Sequence, residues 1–315
     1  MKNDSKIYIA GNTGMVGSAI CRNLTGKGYH NFVFTPYPEY DLTNQKTVET
    51  FFKNEKPDYV INAAAKVGGI IANNTYRAEF IYENLMIQNN LIHGAHISGV
   101  KKFLFLGSSC IYPRECLQPI KEEYLLTGPL EETNEPYAIA KIAGVKMCEN
   151  YFRQYEDNFI SVMPTNLYGR GDNYDLNTSH VIPALIRKFH TAKMEKSPQV
   201  EIWGSGTPKR EFLYVDDMAD ACVHLMKNYD ACDLYPNGIS HINIGSGKDL
   251  SIRDLALTIK RVIGYEGEIN FDKSKPDGTP QKLLNVTRLQ ELGWISKISL
   301  EEGLMEAYKW YLSVG

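Results

Sequence analysis

Short apolar runs alternate with longer amphipathic ones along the first half of the chain. The apolar runs fall at residues 7–10, 32–34, 59–63 and 102–107, and helix-length amphipathic segments at 14–24, 47–53 and 80–96. Strands separated by helical spans in this way predict βαβ units and a parallel sheet. The rhythm continues through a predicted helix over 136–155 and a strand over 159–163. It breaks at a Pro-, Gly- and Asn-rich passage over 164–177, where a second region is expected to begin. In that region the pattern predicts helices over 181–191, 216–227, 252–262 and 299–313 and a short strand over 200–203. With no repeat, low-complexity tract or linker between them, the two regions are expected to pack closely and share a cleft.

Composition narrows the class. The 315 residues are enough for one large or two modest domains with a substantial core. The 34 basic residues against 37 acidic ones give no general attraction for nucleic acid or anionic lipid, so any anionic ligand must be held locally. The six cysteines (Cys21, Cys110, Cys116, Cys148, Cys222, Cys232) include no C-x-x-C pair, which argues against a zinc site or a disulfide framework and for a reducing compartment. No uninterrupted apolar stretch approaches the roughly 18 residues of a membrane span. The expectation is a soluble cytoplasmic protein with no membrane or nucleic-acid partner and no metal.

The first apolar run ends in Gly11-Asn12-Thr13-Gly14-Met15-Val16-Gly17, a G-x-x-G-x-x-G turn leading into a helix. Such glycines let the backbone approach a pyrophosphate whose charge meets the helix N-terminus. A glycine pattern alone can be a packing turn; its place after the first strand of a parallel αβ series favours dinucleotide binding. Asp41, Ala63, Ala64 and Gly107 fall at or just after later strand ends, where folds of this class bind ligands. The fold class is therefore α/β, a doubly wound parallel Rossmann sheet over residues 1–165, to which segments near 212–247 are candidates to return. A smaller C-terminal α/β substrate-binding region occupies 166–315.

Tyr137-Ala138-Ile139-Ala140-Lys141 is the second constellation. Positions i and i+4 share a helical face, so the ammonium is expected beside the phenol, lowering a pKa otherwise near 10. Y-x-x-x-K alone is often just a solvated face. Ser108, ending a strand some thirty residues earlier in Gly107-Ser108-Ser109-Cys110, makes the pattern specific.

Together, the glycine turn, Ser108 and the Tyr137/Lys141 pair resemble the extended short-chain dehydrogenase/reductase superfamily. The segments at 62–70, 106–113, 134–144, 163–169, 179–186, 203–217 and 275–284 further resemble its GDP-L-fucose synthase family, whose members are GDP-4-keto-6-deoxy-D-mannose 3,5-epimerase/4-reductases. The resemblance covers nearly the whole chain. It implies that Cys110 and His180 form an acid/base pair for epimerisation, that Ser108 and Tyr137 hydrogen-bond the C4 oxygen, and that Tyr137 protonates the alkoxide left by hydride transfer. Lys141 would hold the nicotinamide ribose. It also implies a cofactor site of Gly11, Asn12, Thr13, Gly14, Met15, Val16, Gly17, Asp41, Ala63, Ala64, Leu106, Gly107, Lys141, Pro164, Asn166, Leu167 and His180. The GDP-sugar would be gripped by Arg187, Trp203, Arg210 and Lys282. Colitose-type and heptose GDP-4-keto-sugar enzymes could share these motifs. Asp216-Asp217 reads as a helix start rather than a metal pair.

One departure concerns the cofactor. Family members that use NADPH commonly present arginines to the 2′-phosphate, yet the corresponding positions here are Thr13, Thr35 and Tyr37. NADPH is favoured by family habit, and NADH is possible. The resemblance also implies a homodimer through helices near 80–96 and 138–155, where Ile87, Leu91, Val145 and Phe152 fit either dimer contacts or core packing equally well.

Overall fold

The fold was analysed in a computed structural model that describes residues 1–176, 178–275 and 277–314. Asn177, at the end of the 164–177 passage, Pro276, inside 275–284, and Gly315 lie outside the described residues. Six parallel strands form the central sheet in the order Phe32–Val33, Ile7–Ala10, Tyr59–Asn62, Lys102–Leu106, Phe159–Pro164 and Ile242–Ile244. Successive side chains alternate between its faces. Ile7 and Ile9 pack with Ala19, Ile20, Met218 and Cys222 of the helices Met15–Gly26 and Val215–Asn228. Tyr8 and Ala10 pack on the other face with Phe51, Phe52, Leu91 and Val145 of Gln45–Glu55, Arg77–Ile97 and Glu135–Tyr155. Helices on both faces require strands apolar on both sides, which is why 7–10 reads as a continuous apolar run.

Local chemistry fixes the helix starts. Asn44 accepts a hydrogen bond from the Thr47 backbone N–H at 3.1 Å and caps Gln45–Glu55. Pro136 stands in the first turn of Glu135–Tyr155, where its missing N–H costs nothing. The helix predicted over 80–96 begins earlier, at Arg77.

The second region centres on the strand Lys209–Tyr214, which pairs with Asp249–Ser251, Gln281–Lys282 and Asn166–Tyr168. Phe212 and Tyr214 share a core with the helices Val181–Met194, Ile252–Ile263 and Leu300–Val314. A two-stranded ribbon, Gln199–Trp203 with Glu268–Asp272, flanks it. Periodicity missed Lys209–Tyr214 because its first three residues, Lys209-Arg210-Glu211, are charged. It missed Ile242–Ile244 because three residues carry no period.

Leu91 and Val145, offered from the sequence as dimer contacts, are fully buried in the chain's own core, and Ile87 and Phe152 are partly buried against it. Tyr82 and Ile139, in the first third of these helices, and Ile97 and Tyr155, at their C-terminal ends, are exposed large apolar side chains. Among the described residues no helix is long and apolar enough to cross a membrane, and no cluster of His, Cys, Asp and Glu is suited to a metal ion.

Candidate active site

Parallel strands place their carboxyl ends on one edge, so Gly11, Ala63, Ala64, Leu106, Gly107 and Pro164 share it. The first strand lies between the second and third, and the crevice where the order reverses is the expected ligand position. Gly11 adopts φ +77°, and a Cβ there would lie 2.9 Å from the backbone of Ala63 and Ala64. A Cβ on Gly17 would come within 2.1 Å of the Gly11 carbonyl oxygen. Gly14, by contrast, is exposed and meets only that same oxygen at 3.5 Å. The helix it opens has no side-chain cap and no acidic residue in its first turn, so its N–H groups and partial positive charge remain available. The residues present, the Gly11–Gly17 turn with Ala63 and Ala64 packed beside it, fit the pyrophosphate of a nicotinamide dinucleotide. Gly17→Ala is expected to destabilise the fold by about 1–3 kcal/mol through overpacking, measured as a lower denaturation midpoint; an unchanged midpoint would refute the clash.

Glu135–Tyr155 carries Tyr137 and Lys141 against the end of the fourth strand. Lys141 is buried, donates to the Leu106 carbonyl at 2.9 Å, and sits 5.0 Å from the Phe105 ring centroid and 5.5 Å from that of Tyr137. Burial lowers its pKa to about 8. The expected depression of the Tyr137 pKa is not what the chain produces. Burial drives the phenol well above its ordinary value and the neighbouring Cys110 adds to this. The reason is visible in the donor's placement, since Lys141 directs its ammonium to a backbone carbonyl. Tyr137 is thus a neutral phenol, packed edge-on against Phe80.

Cys110 follows Ser108 in a single 3₁₀ turn, its backbone N–H 3.4 Å from Ser108 Oγ. Burial raises its thiol pKa, opposed by Lys282, Ser108 and Lys141. Ser108, Cys110, Tyr137, Lys141 and Lys282 are therefore brought together.

His180 opens the helix Val181–Met194, and the loop that precedes it is docked through its backbone. Gly69 N–H donates to the Thr178 carbonyl at 3.1 Å. Asn73 Nδ2 holds the Gly68 and Gly69 carbonyls at 2.7 and 3.1 Å, and the Asn84 side chain clamps both the N–H and the carbonyl of Lys66 at 3.0 Å. These two asparagines were not picked out from the sequence, where nothing distinguishes a buried amide from a surface one. The His180 side chain reaches solvent, yet the surrounding protein desolvates it enough to lower its pKa.

In the second region Lys282 pairs directly with Arg210 across adjacent parallel strands, and both are half-buried, with pKa values lowered by burial. Asp277 accepts from the Ser205 N–H and hydroxyl at 2.9 and 2.6 Å and faces Arg210, tying the Trp203 loop to it. Trp203 is 57% exposed, with Lys188 and Lys275 at 5.8 and 5.5 Å from its ring centroid. Arg187 donates to the Tyr174 carbonyl at 3.0 Å. Among the described residues no hydrogen bond or ring contact joins His180, Trp203 or Arg187 to the Tyr137 cluster.

Other expected cofactor residues already have partners. Asp41 Oδ1 accepts from the Thr43 N–H and hydroxyl at 2.9 and 2.7 Å, and Asn166 Nδ2 donates to the Glu211 carbonyl at 2.8 Å. Leu167 is half-buried on the strand next to Leu213. Thr35 is buried and hydrogen-bonded to the Tyr8 hydroxyl at 2.8 Å, whereas Tyr37 is 84% exposed.

Comparison with known proteins agrees with this architecture. Residues 7–245 match the NAD dependent epimerase/dehydratase family. The chain is 56% identical to the GDP-L-fucose synthase of Escherichia coli K12, over 98% of this chain and 96% of that protein. It is 40% identical to the GDP-L-colitose synthase of Yersinia pseudotuberculosis, over 98% of each. Among solved structures, a GDP-mannoheptose C4 reductase of Campylobacter jejuni with NADP bound superimposes with a TM-score of 0.91 at 42% identity, covering 99% of both chains. The chain belongs to the NAD dependent epimerase/dehydratase family and, within it, to the GDP-L-fucose synthases.

Proposed function

We propose that the chain converts GDP-4-keto-6-deoxy-D-mannose to GDP-L-fucose by epimerisation at C3 and C5 followed by reduction at C4 with NADPH. The observation that carries this reading is a thiol, Cys110, set beside Ser108, Tyr137 and Lys141. A simple 4-reductase needs no such proton shuttle. Protons at C3 and C5 are acidified by the adjacent ketone, and the charge that develops on its oxygen is met by hydrogen bonds from Ser108 and Tyr137.

Cys110 and His180 both start uncharged at neutral pH, because burial raises the thiol and lowers the imidazole. At each carbon one member of the pair takes a proton and the other returns one to the opposite face. When bound, the nicotinamide supplies a hydride to C4. Tyr137, a neutral phenol, donates its proton to the oxygen at C4, and Lys141 anchors the ribose side. Arg210 and Lys282 grip the diphosphate, while Arg187 and Trp203 serve the nucleoside end.

The higher identity to the fucose synthase than to the colitose and heptose enzymes favours this substrate. Incubation of the full chain with GDP-4-keto-6-deoxy-D-mannose and NADPH should yield a product that co-elutes with GDP-L-fucose. A reduced 6-deoxyhexose with unchanged C3 and C5 would overturn the reading.

With no cation at Thr13, Thr35 or Tyr37, the preference for NADPH over NADH in kcat/KM is expected to stay below about a thousandfold, the discrimination that several charge-assisted phosphate contacts would supply. Steady-state rates with each cofactor decide this. We place the enzyme in the cytoplasm as a homodimer paired through the helices Arg77–Ile97 and Glu135–Tyr155, which carry the exposed Tyr82 and Ile139.

A further inference from the structure

Arg210 and Lys282 are neighbours because two short strands are held in register, and one buried carboxylate fastens that register. Glu211, next to Arg210, has no exposed surface. Its Oε2 accepts from the Leu284 N–H at 2.9 Å, two residues beyond Lys282. Its Oε1 accepts from the Gly247 N–H at 2.7 Å, and a Cβ on Gly245 would lie 2.3 Å from that oxygen. Its backbone carbonyl receives Asn166 Nδ2 from the end of the central sheet.

We propose that Glu211 is a positioning residue that sets the spacing of Arg210 and Lys282 for a nucleoside diphosphate. Ser246, beside Gly247, also donates to Oε1, so acceptors at both oxygens are needed to satisfy Leu284 on one side and the 246–247 turn on the other. A glutamine presents one acceptor and one NH₂ donor, so one of these backbone N–H groups would face another donor beside a side chain that has no exposed surface. The loop carrying Lys282 then moves away from Arg210. Asn166 is unaffected, because its bond is to the Glu211 backbone.

The inference rests on the GDP-sugar reading, and GDP alone serves as the probe to separate the two. Calorimetry on the full wild-type chain should show GDP binding; its absence would count against the GDP-sugar reading itself. If wild type binds, Glu211→Gln is expected to raise the Kd for GDP by about tenfold and the KM for the GDP-sugar in parallel, with the Kd for NADPH little changed. Glu211→Asp, which keeps both acceptors on a shorter stem, should recover part of the loss. If Glu211→Gln does not fold, Glu211→Asp is measured in its place. In wild type, GDP should slow amide exchange at 246–248 and 282–284 together. Unchanged GDP affinity in a folded variant, equal loss of GDP and NADPH binding, or protection of one segment without the other would overturn the proposal.

Discussion

Tyr137→Phe is expected to lower the rate of ketone reduction by about 10²–10⁴-fold, the usual worth of a positioned general acid, while leaving NADPH affinity nearly unchanged. The ring keeps its edge-on contact with Phe80 and its place beside Lys141, so what is lost is the hydroxyl alone. The effect should be large because burial has already suppressed the alternative. Burial raises the Tyr137 pKa, so the phenol keeps its proton at neutral pH and is available as a donor. Single-turnover reduction of the keto-sugar checks this. A variant within a few-fold of wild type would mean that water or another group protonates the C4 oxygen.

Cys110→Ser is expected to suppress epimerisation by a comparable factor and to do so more completely than it weakens cofactor binding. A serine hydroxyl is nearly the size of the thiol, so the 3₁₀ turn and the contact with Ser108 should survive. Its proton, however, is far less exchangeable near neutrality than that of a thiol, even one raised by burial. Measuring proton exchange at C3 and C5 beside NADPH affinity separates the two effects. Equal loss of both would contradict a shuttle role and point to collapse of the turn.

What was legible in the sequence and what was not divide along physical lines. The strand Ile7–Ala10, its glycine turn and the helix behind it are local features, each specified by a few adjacent residues, and they fold as the pattern predicts. Tyr137 and Lys141 share a helix, so their proximity followed from spacing. Their electrostatics did not, because the partner of Lys141 is the carbonyl of Leu106, 35 residues away. The same limit hid Glu211, whose side chain satisfies N–H groups of Gly247 and Leu284, and the clamps Asn73 and Asn84 that hold the loop docking on Thr178. Buried polar groups are defined by partners distant in sequence, and a single sequence does not display those pairings. The short strands of the second region escaped notice for a related reason, since Lys209–Tyr214 is a strand by virtue of its three neighbours.

Epimerisation and reduction are proposed to take place at one site. The most direct test is to turn over GDP-4-keto-6-deoxy-D-mannose with NADPH in deuterated water and to locate the label by NMR. GDP-L-fucose carrying deuterium at both C3 and C5 is the expected product. A reduced product with no deuterium at either carbon would contradict the proposal.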